Sequence, residues 1–263
     1  MLKSLALKVP QIRAFVSDRK ALQIANAQLS DAMAHANVLP IAPRHLQERV
    51  VGTYAHDFLS SATRHLRGFE AILQSVGKGL SDFLRVLDMG VGCGRVIRRY
   101  HELYPAADLV GADIDPEAIG WLNENYGPRF GRFLVLPHMP PSQLERDSFD
   151  LVYAISVFTH LDEQMQFAWL RELQRVTEPE GCLLLTVHGR WYRNNLPPPS
   201  QRRADTGFYY SKDAPETSGL PSFYRVAYHT REYVVREWAR FFEIVSYQEE
   251  GIDHQDLVLC RKR

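Results

Sequence analysis

Apolar and polar residues along the middle of the chain follow a pattern that predicts strands alternating with helices. Short apolar runs, typical of strands buried on both faces, occur at 85–89, 108–114, 132–136, 149–155 and 182–187. Helical periodicity separates them, most clearly at 95–103, 117–126 and 161–176. This alternation predicts a parallel sheet with right-handed crossovers and helices on both faces.

The two ends of the chain have other patterns. Residues 1–80 are predicted to form a helical N-terminal extension or cap, with one helix from His56 to Val76. Residues 81–263 are predicted to form the main domain, which closes with a strand pair at 242–247 and 256–261. A turn-rich stretch joins these two strands, so we expect an antiparallel hairpin. A further turn is predicted at Glu178–Gly181.

Residues 189–229 interrupt the alternation. Three consecutive prolines and several glycines disfavour long regular elements, yet aromatic residues are too dense for a disordered linker. We therefore expect a packed, irregular lid or substrate loop. Tyr209, Tyr210, Phe223 and Tyr224 are candidates for its substrate walls.

Charge and composition narrow the possible partners. Lys plus Arg and Asp plus Glu each number 31, so the formal net charge is zero, which disfavours nucleic acid held by bulk electrostatics. The three cysteines are far apart, which indicates a cytoplasmic protein without a disulfide framework, and no metal-ligand spacing is present. No apolar run reaches the length of a membrane span. Met1–Arg19 is expected to be an amphipathic helix that packs on its own domain, with a membrane or partner surface as the alternative.

The first strand ends in a glycine-rich loop, Asp88-x-Gly90-x-Gly92-x-Gly94. Glycine allows a sharp turn and a close approach of a ligand to the backbone, and the next helix points its first N–H groups at that ligand. A dinucleotide fingerprint would be Gly-x-Gly-x-x-Gly, but in neither register does glycine stand at the sixth position. The loop therefore indicates a nucleotide site that is not of the dinucleotide type.

The second strand ends at Asp113, where a carboxylate can accept hydrogen bonds from ribose hydroxyls. Its alternative role would be to cap the following helix. Asp115, immediately before Pro116, is the better N-cap, so we expect Asp113 to be free for the ribose.

These motifs together resemble the class I S-adenosylmethionine-dependent methyltransferase family. The first motif is Val86–Gly94 and the second is Val110–Asp115. The resemblance continues at 148–161, for the fourth strand, and at 170–185, for the next helix and the fifth strand. The four motifs stand in the family's order and spacing over about residues 84 to 188.

The resemblance implies a doubly wound, mostly parallel seven-stranded sheet of α/β class (the Rossmann-like methyltransferase fold) in which the final hairpin inserts one antiparallel strand. It implies S-adenosyl-L-methionine as the cofactor, with the glycine loop under its methionine end and Asp113 at its ribose. The implied cofactor-binding residues are Asp88, Gly90, Gly92, Gly94, Asp113, Ile114, Met139, Ile155 and Ser156.

One position departs from the family pattern. Members often carry an acidic residue after the third strand that accepts a hydrogen bond from the adenine amino group. Here that stretch is Leu136-Pro-His138-Met139-Pro-Pro, which contains no carboxylate. The adenine contacts are therefore not given by the resemblance.

Two histidines are the candidate catalytic residues. Methyl transfer from a sulfonium depends largely on alignment, but an oxygen or nitrogen nucleophile that loses a proton also needs a base, and histidine suits this role near neutral pH. His160 follows the fourth strand and His188 ends the fifth. For both, a structural histidine in a loop or turn remains the alternative.

The sequence therefore predicts a cytoplasmic methyltransferase that acts on a small molecule, most simply on oxygen of a sugar, lipid or secondary metabolite. It predicts no nucleic-acid partner, no integral membrane association and no metal. Two alternatives remain open: a methyltransferase-like protein that binds without turnover, and, against the evidence of the glycine spacing, an NAD-dependent oxidoreductase.

Overall fold

The computed structural model describes residues 38–52, 57–195, 206–211 and 219–263. It divides the chain into two compact units, Met1–Ile41 and Ala42–Arg263, and the elements below belong to the second. The helix expected at Met1–Arg19 lies outside the described residues, as do His56 and parts of the stretch 189–229.

A seven-stranded sheet forms the centre of this unit, in the order β3-β2-β1-β4-β5-β9-β8. Strands β1 to β5 are parallel, and β9 is antiparallel to both of its neighbours, β5 and β8. The fold class expected from the sequence is thus confirmed, including the antiparallel strand inserted by the final hairpin. The strands are β1 Arg85–Met89, β2 Asp108–Asp113, β3 Arg132–Val135, β4 Phe149–Ala154, β5 Thr177–Val187, β8 Glu243–Ile252 and β9 Gln255–Arg261.

Seven α-helices are described in this unit. They are α1 Arg44–Val51, α2 Phe58–Gln74, α3 Arg95–Leu103, α4 Pro116–Asn125, α5 Glu163–Val176, α6 Arg190–Asn195 and α7 Arg231–Trp238. Side-chain caps fix several starts: Asp115 accepts from the first turn of α4, and Asp162 and Thr230 do the same for α5 and α7. The caps predicted at Asp115 and Thr230 are confirmed.

The core explains why the central strands are apolar throughout. Leu87, Val152 and Leu185 from the sheet pack in one buried cluster with Trp169 and Leu173 of α5. Because a strand in this sheet has a neighbour on each side and a helix on its face, an apolar residue at nearly every position is buried. The order and ends of these strands place the glycine loop, Asp113 and Ser156 at one edge of the sheet.

Two local predictions were wrong. The turn expected at Glu178–Gly181 is part of β5, where Glu180 has a positive φ of 63° and the pairing with β4 shifts register. The stretch 189–229 is also more regular than expected. It contains helix α6 and a two-stranded antiparallel sheet of β6 Phe208–Ser211 and β7 Val226–His229. In both cases strand pairing with a distant segment outweighed the local preference of proline and glycine for turns.

Candidate functional site

The glycine loop between β1 and α3 makes a tight turn at the carboxyl edge of the sheet. Gly90, Gly92 and Gly94 all have positive φ, at 81°, 52° and 85°. A Cβ at Gly90 would lie 2.3 Å from Val157 Cγ2, and one at Gly94 would lie 2.6 Å from Leu122 Cδ2. Larger residues are therefore excluded by backbone conformation and by space.

Asp113, at the end of β2, is bonded to this loop. Its Oδ2 accepts a 2.7 Å hydrogen bond from the Gly92 N–H, and its Oδ1 accepts a 2.9 Å bond from the Asp115 N–H. The expectation that Asp113 is free was therefore wrong in detail, although Asp115 caps α4 as predicted. A carboxylate has about four lone-pair sites, so both oxygens retain acceptor capacity for a ligand.

A cavity of about 1060 Å³, including open solvent at its mouth, lies over this edge. All but two of the predicted cofactor-binding residues line it: Asp88, Gly90, Gly92, Asp113, Ile114, Ile155 and Ser156. Gly94 does not line it, because it packs against α4. Met139 is 39% exposed and also lies outside the lining.

Asp88 is a buried carboxyl group in the cavity wall. Burial raises its pKa to about 7, although the Tyr153 hydroxyl donates a 2.8 Å hydrogen bond to it and the Arg95 guanidinium lies near enough to lower the pKa. A carboxyl group with a pKa this close to neutrality changes charge easily when a cation enters its surroundings. Burial also raises the pKa of Asp113, against the hydrogen bonds from the backbone.

Arg95, the first residue of α3, is held by a chain of polar contacts. Its Nη1 donates to Ser61 Oγ at 2.9 Å and meets His65 Nδ1 at 3.3 Å. A guanidinium cannot accept, so Nδ1 carries the lone pair and His65 Nε2 donates to Asp253 Oδ2 at 2.8 Å. These contacts join helix α2, the β8–β9 turn and the glycine loop.

Helix α1 and the segment 219–224 cover other parts of the cavity. Leu46, Arg49 and Val50 of α1 line it, and Arg49 bonds Asp115 at 2.8 Å and Glu117 at 2.7 Å. Phe223 and Tyr224, two of the four predicted wall residues, line it as well. Tyr209 and Tyr210 are not in the lining, but the Tyr210 hydroxyl donates to the Phe223 carbonyl and so fixes this segment.

His160 and His188 lie beside the cavity and not in its lining. Their ring centroids are 6.0 Å apart, and His160 stacks at 3.9 Å on Tyr224, which does line the cavity. Burial lowers the pKa of His160 to about 4 and the pKa of His188 well below its ordinary value. His160 Nδ1 lies 2.5 Å from the Arg225 carbonyl, so it is the donor and Nε2 carries the lone pair.

Several lining residues were missed from the sequence. Leu161 and Trp169 fall in a helical pattern that predicts only an apolar face, and nothing in the sequence singles out Arg49. Arg95 carries a weak signal, since it directly follows the last glycine of the loop.

The described part of the chain shows neither a cluster of metal ligands nor a helix suited to a membrane. Across the ranges 38–52, 57–195, 206–211 and 219–263, no group of three or more His, Cys, Asp or Glu side chains is placed to hold a metal ion. Within the same ranges, no helix has both the length and the apolar character needed to cross a membrane.

Comparison with known proteins gives a family match for the segment that holds the glycine loop. Residues 86–181 match a family model described as a methyltransferase domain. A malonyl-[acyl-carrier protein] O-methyltransferase of Legionella pneumophila is 33% identical over 105 residues, which is 40% of this chain and 36% of that protein. The match thus spans little more than a third of the relative's length.

Solved structures share the fold. Human N-acetylserotonin methyltransferase, in complex with S-adenosylmethionine, has a TM-score of 0.54 at 16% identity, over 83% of this chain and 55% of that one. A Burkholderia thailandensis 1,6-didemethyltoxoflavin-N1-methyltransferase has a TM-score of 0.53 at 19% identity, over 85% of this chain and 92% of that one. Residues 86–181 thus match a methyltransferase domain, and the fold of the chain is shared by solved methyltransferases that hold S-adenosylmethionine or S-adenosylhomocysteine.

Proposed function

We propose that the chain binds S-adenosylmethionine in the cavity at the carboxyl edge of the sheet and transfers its methyl group to a small molecule. The observation that carries the proposal is the position of Asp113. Its carboxylate ends β2, is bonded to the Gly92 N–H of the glycine loop and lines the same cavity as that loop. A carboxylate at this point can accept from ribose hydroxyls while the loop backbone approaches the rest of the ligand.

The residues present fit this cofactor. Asp88, Gly90, Gly92, Asp113, Ile114, Ile155 and Ser156 would hold it, since all of them line the cavity. Gly94 would contribute by allowing α3 to start close to α4, and Met139 by shaping the segment after β3. The cofactor supplies an activated methyl group on a sulfonium, so the contribution of the chain is to align the acceptor and to exclude water.

We propose oxygen as the methylated atom, with His160 and His188 as the candidate proton acceptors. Both are neutral at pH 7 because burial lowers their pKa values, so each ring carries a lone pair, and His160 is separated from the cavity only by Tyr224, on which it stacks. A base with a pKa of about 4 is weak, which favours an acceptor whose proton is already acidic, such as a phenol or enol. Replacement of His160 by Gln should lower kcat more than KM if the ring takes the proton.

The remaining parts of the chain fit this arrangement. Helix α1, which belongs to the predicted N-terminal region 1–80, is proposed to cap the cavity of the domain 81–263, which is supported by Leu46, Arg49 and Val50 in the cavity wall. The stretch 189–229 is proposed to select the acceptor, which is supported by Tyr224, a lining residue that stacks on the candidate base His160. The three cysteines are free and buried, and with zero net charge they support a cytoplasmic enzyme that does not act on nucleic acid.

The function is tested by cofactor binding followed by methyl transfer. S-adenosylhomocysteine at 100 times its Kd should stabilise the protein by about 2.7 kcal/mol, while NADH should not. Tritiated methyl groups from S-adenosylmethionine should then appear in a component of a metabolite extract. Stabilisation by NADH alone would favour the oxidoreductase alternative. Cofactor binding without methyl transfer to any extract would favour the alternative that binds without turnover.

Cofactor affinity should depend on pH through Asp88. Its pKa of about 7 in the folded protein exceeds the ordinary value of 3.8, so ionisation costs stability as the pH rises from about 4 to 7. A cationic ligand prefers the ionised carboxylate, so its affinity should rise about ten-fold between pH 6 and pH 8. Calorimetric titration with S-adenosylmethionine measures this rise.

Two variants isolate the contribution of Asp88. Asp88→Asn should remove the rise, whereas the amino group of the ligand titrates in the same way with both proteins. Tyr153→Phe deletes the hydrogen bond that lowers the pKa of Asp88, so it should move the midpoint to higher pH. An unchanged pH profile in Asp88→Asn would show that another group is responsible.

A further inference from the structure

The cavity wall next to β3 is aromatic. His138, Trp169 and Phe223 all line the cavity there. The Trp169 indole N–H donates to the His138 carbonyl at 3.3 Å, and the His138 and Phe223 rings meet edge to face with centroids 5.1 Å apart. The three side chains come from the loop after β3, from α5 and from the segment before β7. They form one surface, which we name the aromatic wall.

Three acidic side chains at α5, the helix that carries Trp169, already have hydrogen-bond partners within the protein. Asp162 accepts from the Met165 N–H as the cap of α5, and Glu163 accepts from the Tyr233 hydroxyl at 2.6 Å. Glu172 accepts from Ser142 and is paired with Arg175 at 2.7 Å. None of the three lines the cavity. The carboxylates that do line it, among the described residues, are Asp88, Asp113 and Asp115, which lie at the ends of β1 and β2.

The position of a purine in the cavity follows from the proposed function, on which this inference rests. If Asp113 at the end of β2 takes the ribose, and the acceptor comes from the side of β4 and β5, then the base lies towards β3. That is the side of Leu136, His138 and the aromatic wall. The Leu136 N–H donates to the Asp113 carbonyl, and the His138 carbonyl accepts from the Trp169 indole N–H. These two backbone groups therefore already have hydrogen-bond partners within the protein.

Adenine has a donor at its 6-position, whereas a 6-oxopurine has an acceptor there. A carboxylate in contact with that position would select adenine and repel the oxo group. A neutral imidazole carries one donor and one acceptor nitrogen and can present either by a change of tautomer. Aromatic faces stack on any base, because every base has a π-face.

We propose that the aromatic wall of His138, Trp169 and Phe223 holds the purine by its faces and not by its 6-amino group, so that the site accepts a 6-oxopurine nucleoside about as well as adenosine. The site would thus recognise its cofactor chiefly through the ribose and the methionine portion. This differs from a site in which a carboxylate selects the amino group.

The test compares two ligands on the intact protein by calorimetric titration. S-adenosylhomocysteine is one, and S-inosylhomocysteine, in which an oxo group replaces the 6-amino group, is the other. We expect their Kd values to agree within about ten-fold. A larger loss with S-inosylhomocysteine would overturn the inference while the proposed function stands. Failure of both ligands to bind would overturn the proposed function and the inference together.

Variants of the wall sharpen the result. Phe223→Ala should weaken both ligands by about ten-fold and leave their ratio unchanged, because it removes stacking and not edge recognition. His138→Glu places a carboxylate at the wall and should create a preference for S-adenosylhomocysteine of ten-fold or more. If Phe223→Ala instead weakens only one of the two ligands, the wall does not act through the faces of the base.

A matched control comes from the same helix as Trp169. Phe167 also lies on α5, but its ring packs on Phe241 with centroids 5.9 Å apart and does not line the cavity. Phe167→Leu should leave both Kd values unchanged. Loss of binding in this variant would mean that changes at α5 disturb the fold. The wall variants would then be judged only by the ratio of the two Kd values. A changed ratio in Phe223→Ala would still contradict the inference.

Discussion

Replacement of Asp113 by alanine should weaken S-adenosylhomocysteine binding by about 100-fold. The variant removes the carboxylate that is proposed to accept from the ribose, and two charge-assisted hydrogen bonds of this kind contribute about 3 kcal/mol together. It also removes the acceptor for the Gly92 N–H, at 2.7 Å, so the glycine loop loses one of its hydrogen bonds to β2, while the N–H groups of Gly90 and Val91 still donate to the Ala112 carbonyl. Calorimetric titration measures the affinity, and methyl transfer to the extract should fall in parallel.

The control for this variant lies on the same strand. Asp108 begins β2 at the opposite edge of the sheet, where its side chain is 61% exposed and meets Arg132 at 3.5 Å. Asp108→Ala removes the same charge from the same strand, so it should leave the affinity within about two-fold because exposed pairs contribute little. Equal losses in the two variants would show that net charge, and not the position of Asp113, governs binding.

Replacement of Gly94 by alanine should lower the free energy of unfolding by about 3 kcal/mol. Gly94 has a φ of 85°, a conformation that costs an alanine about 1–2 kcal/mol, and its new Cβ would meet Leu122 Cδ2 at 2.6 Å and Tyr126 Cε2 at 2.7 Å. Thermal unfolding should show a Tm lower by roughly 6–12 °C.

Gly120→Ala is the opposite control, since Gly120 lies inside α4 with nothing within 4 Å of its Cβ position. This variant should raise the free energy of unfolding by about 0.5–1 kcal/mol because alanine favours the helix. If Gly94→Ala were as stable as the unchanged protein, α3 and α4 would have to separate at little cost. Glycine at position 94 would then be required by the ligand and not by the packing of α3 against α4.

Much of the fold was predictable because it is encoded locally. The bounds of β1 and α3 agree with the prediction residue for residue, since an apolar run, three glycines and a Tyr-Pro pair mark their ends. The caps at Asp115 and Thr230 follow from side-chain chemistry within three residues. The carboxyl edge of the sheet, and with it most of the cavity-lining residues, follows from the order of the parallel strands.

The rest depends on contacts between segments that are distant in sequence. No local pattern shows that Arg49 would reach Asp115, or that Trp169 would bond the backbone after β3. Strands β6 and β7 form within a stretch rich in proline and glycine. Their pairing with each other, and not their local propensity, determines that they are strands. The elevated pKa of Asp88 is likewise a result of burial, which only the assembled core creates.

The place of β9 in the sheet has a consequence for the order of folding. This strand follows β8 in sequence but lies between β5 and β8. During synthesis the open edge of β5 therefore has no permanent partner until residues 255–261 leave the ribosome. Strand β8 also stays unpaired until then, because β9 is its neighbour in the sheet. An unpaired apolar edge is prone to pair with other chains, so truncations after Ile252 should aggregate rather than give a smaller enzyme.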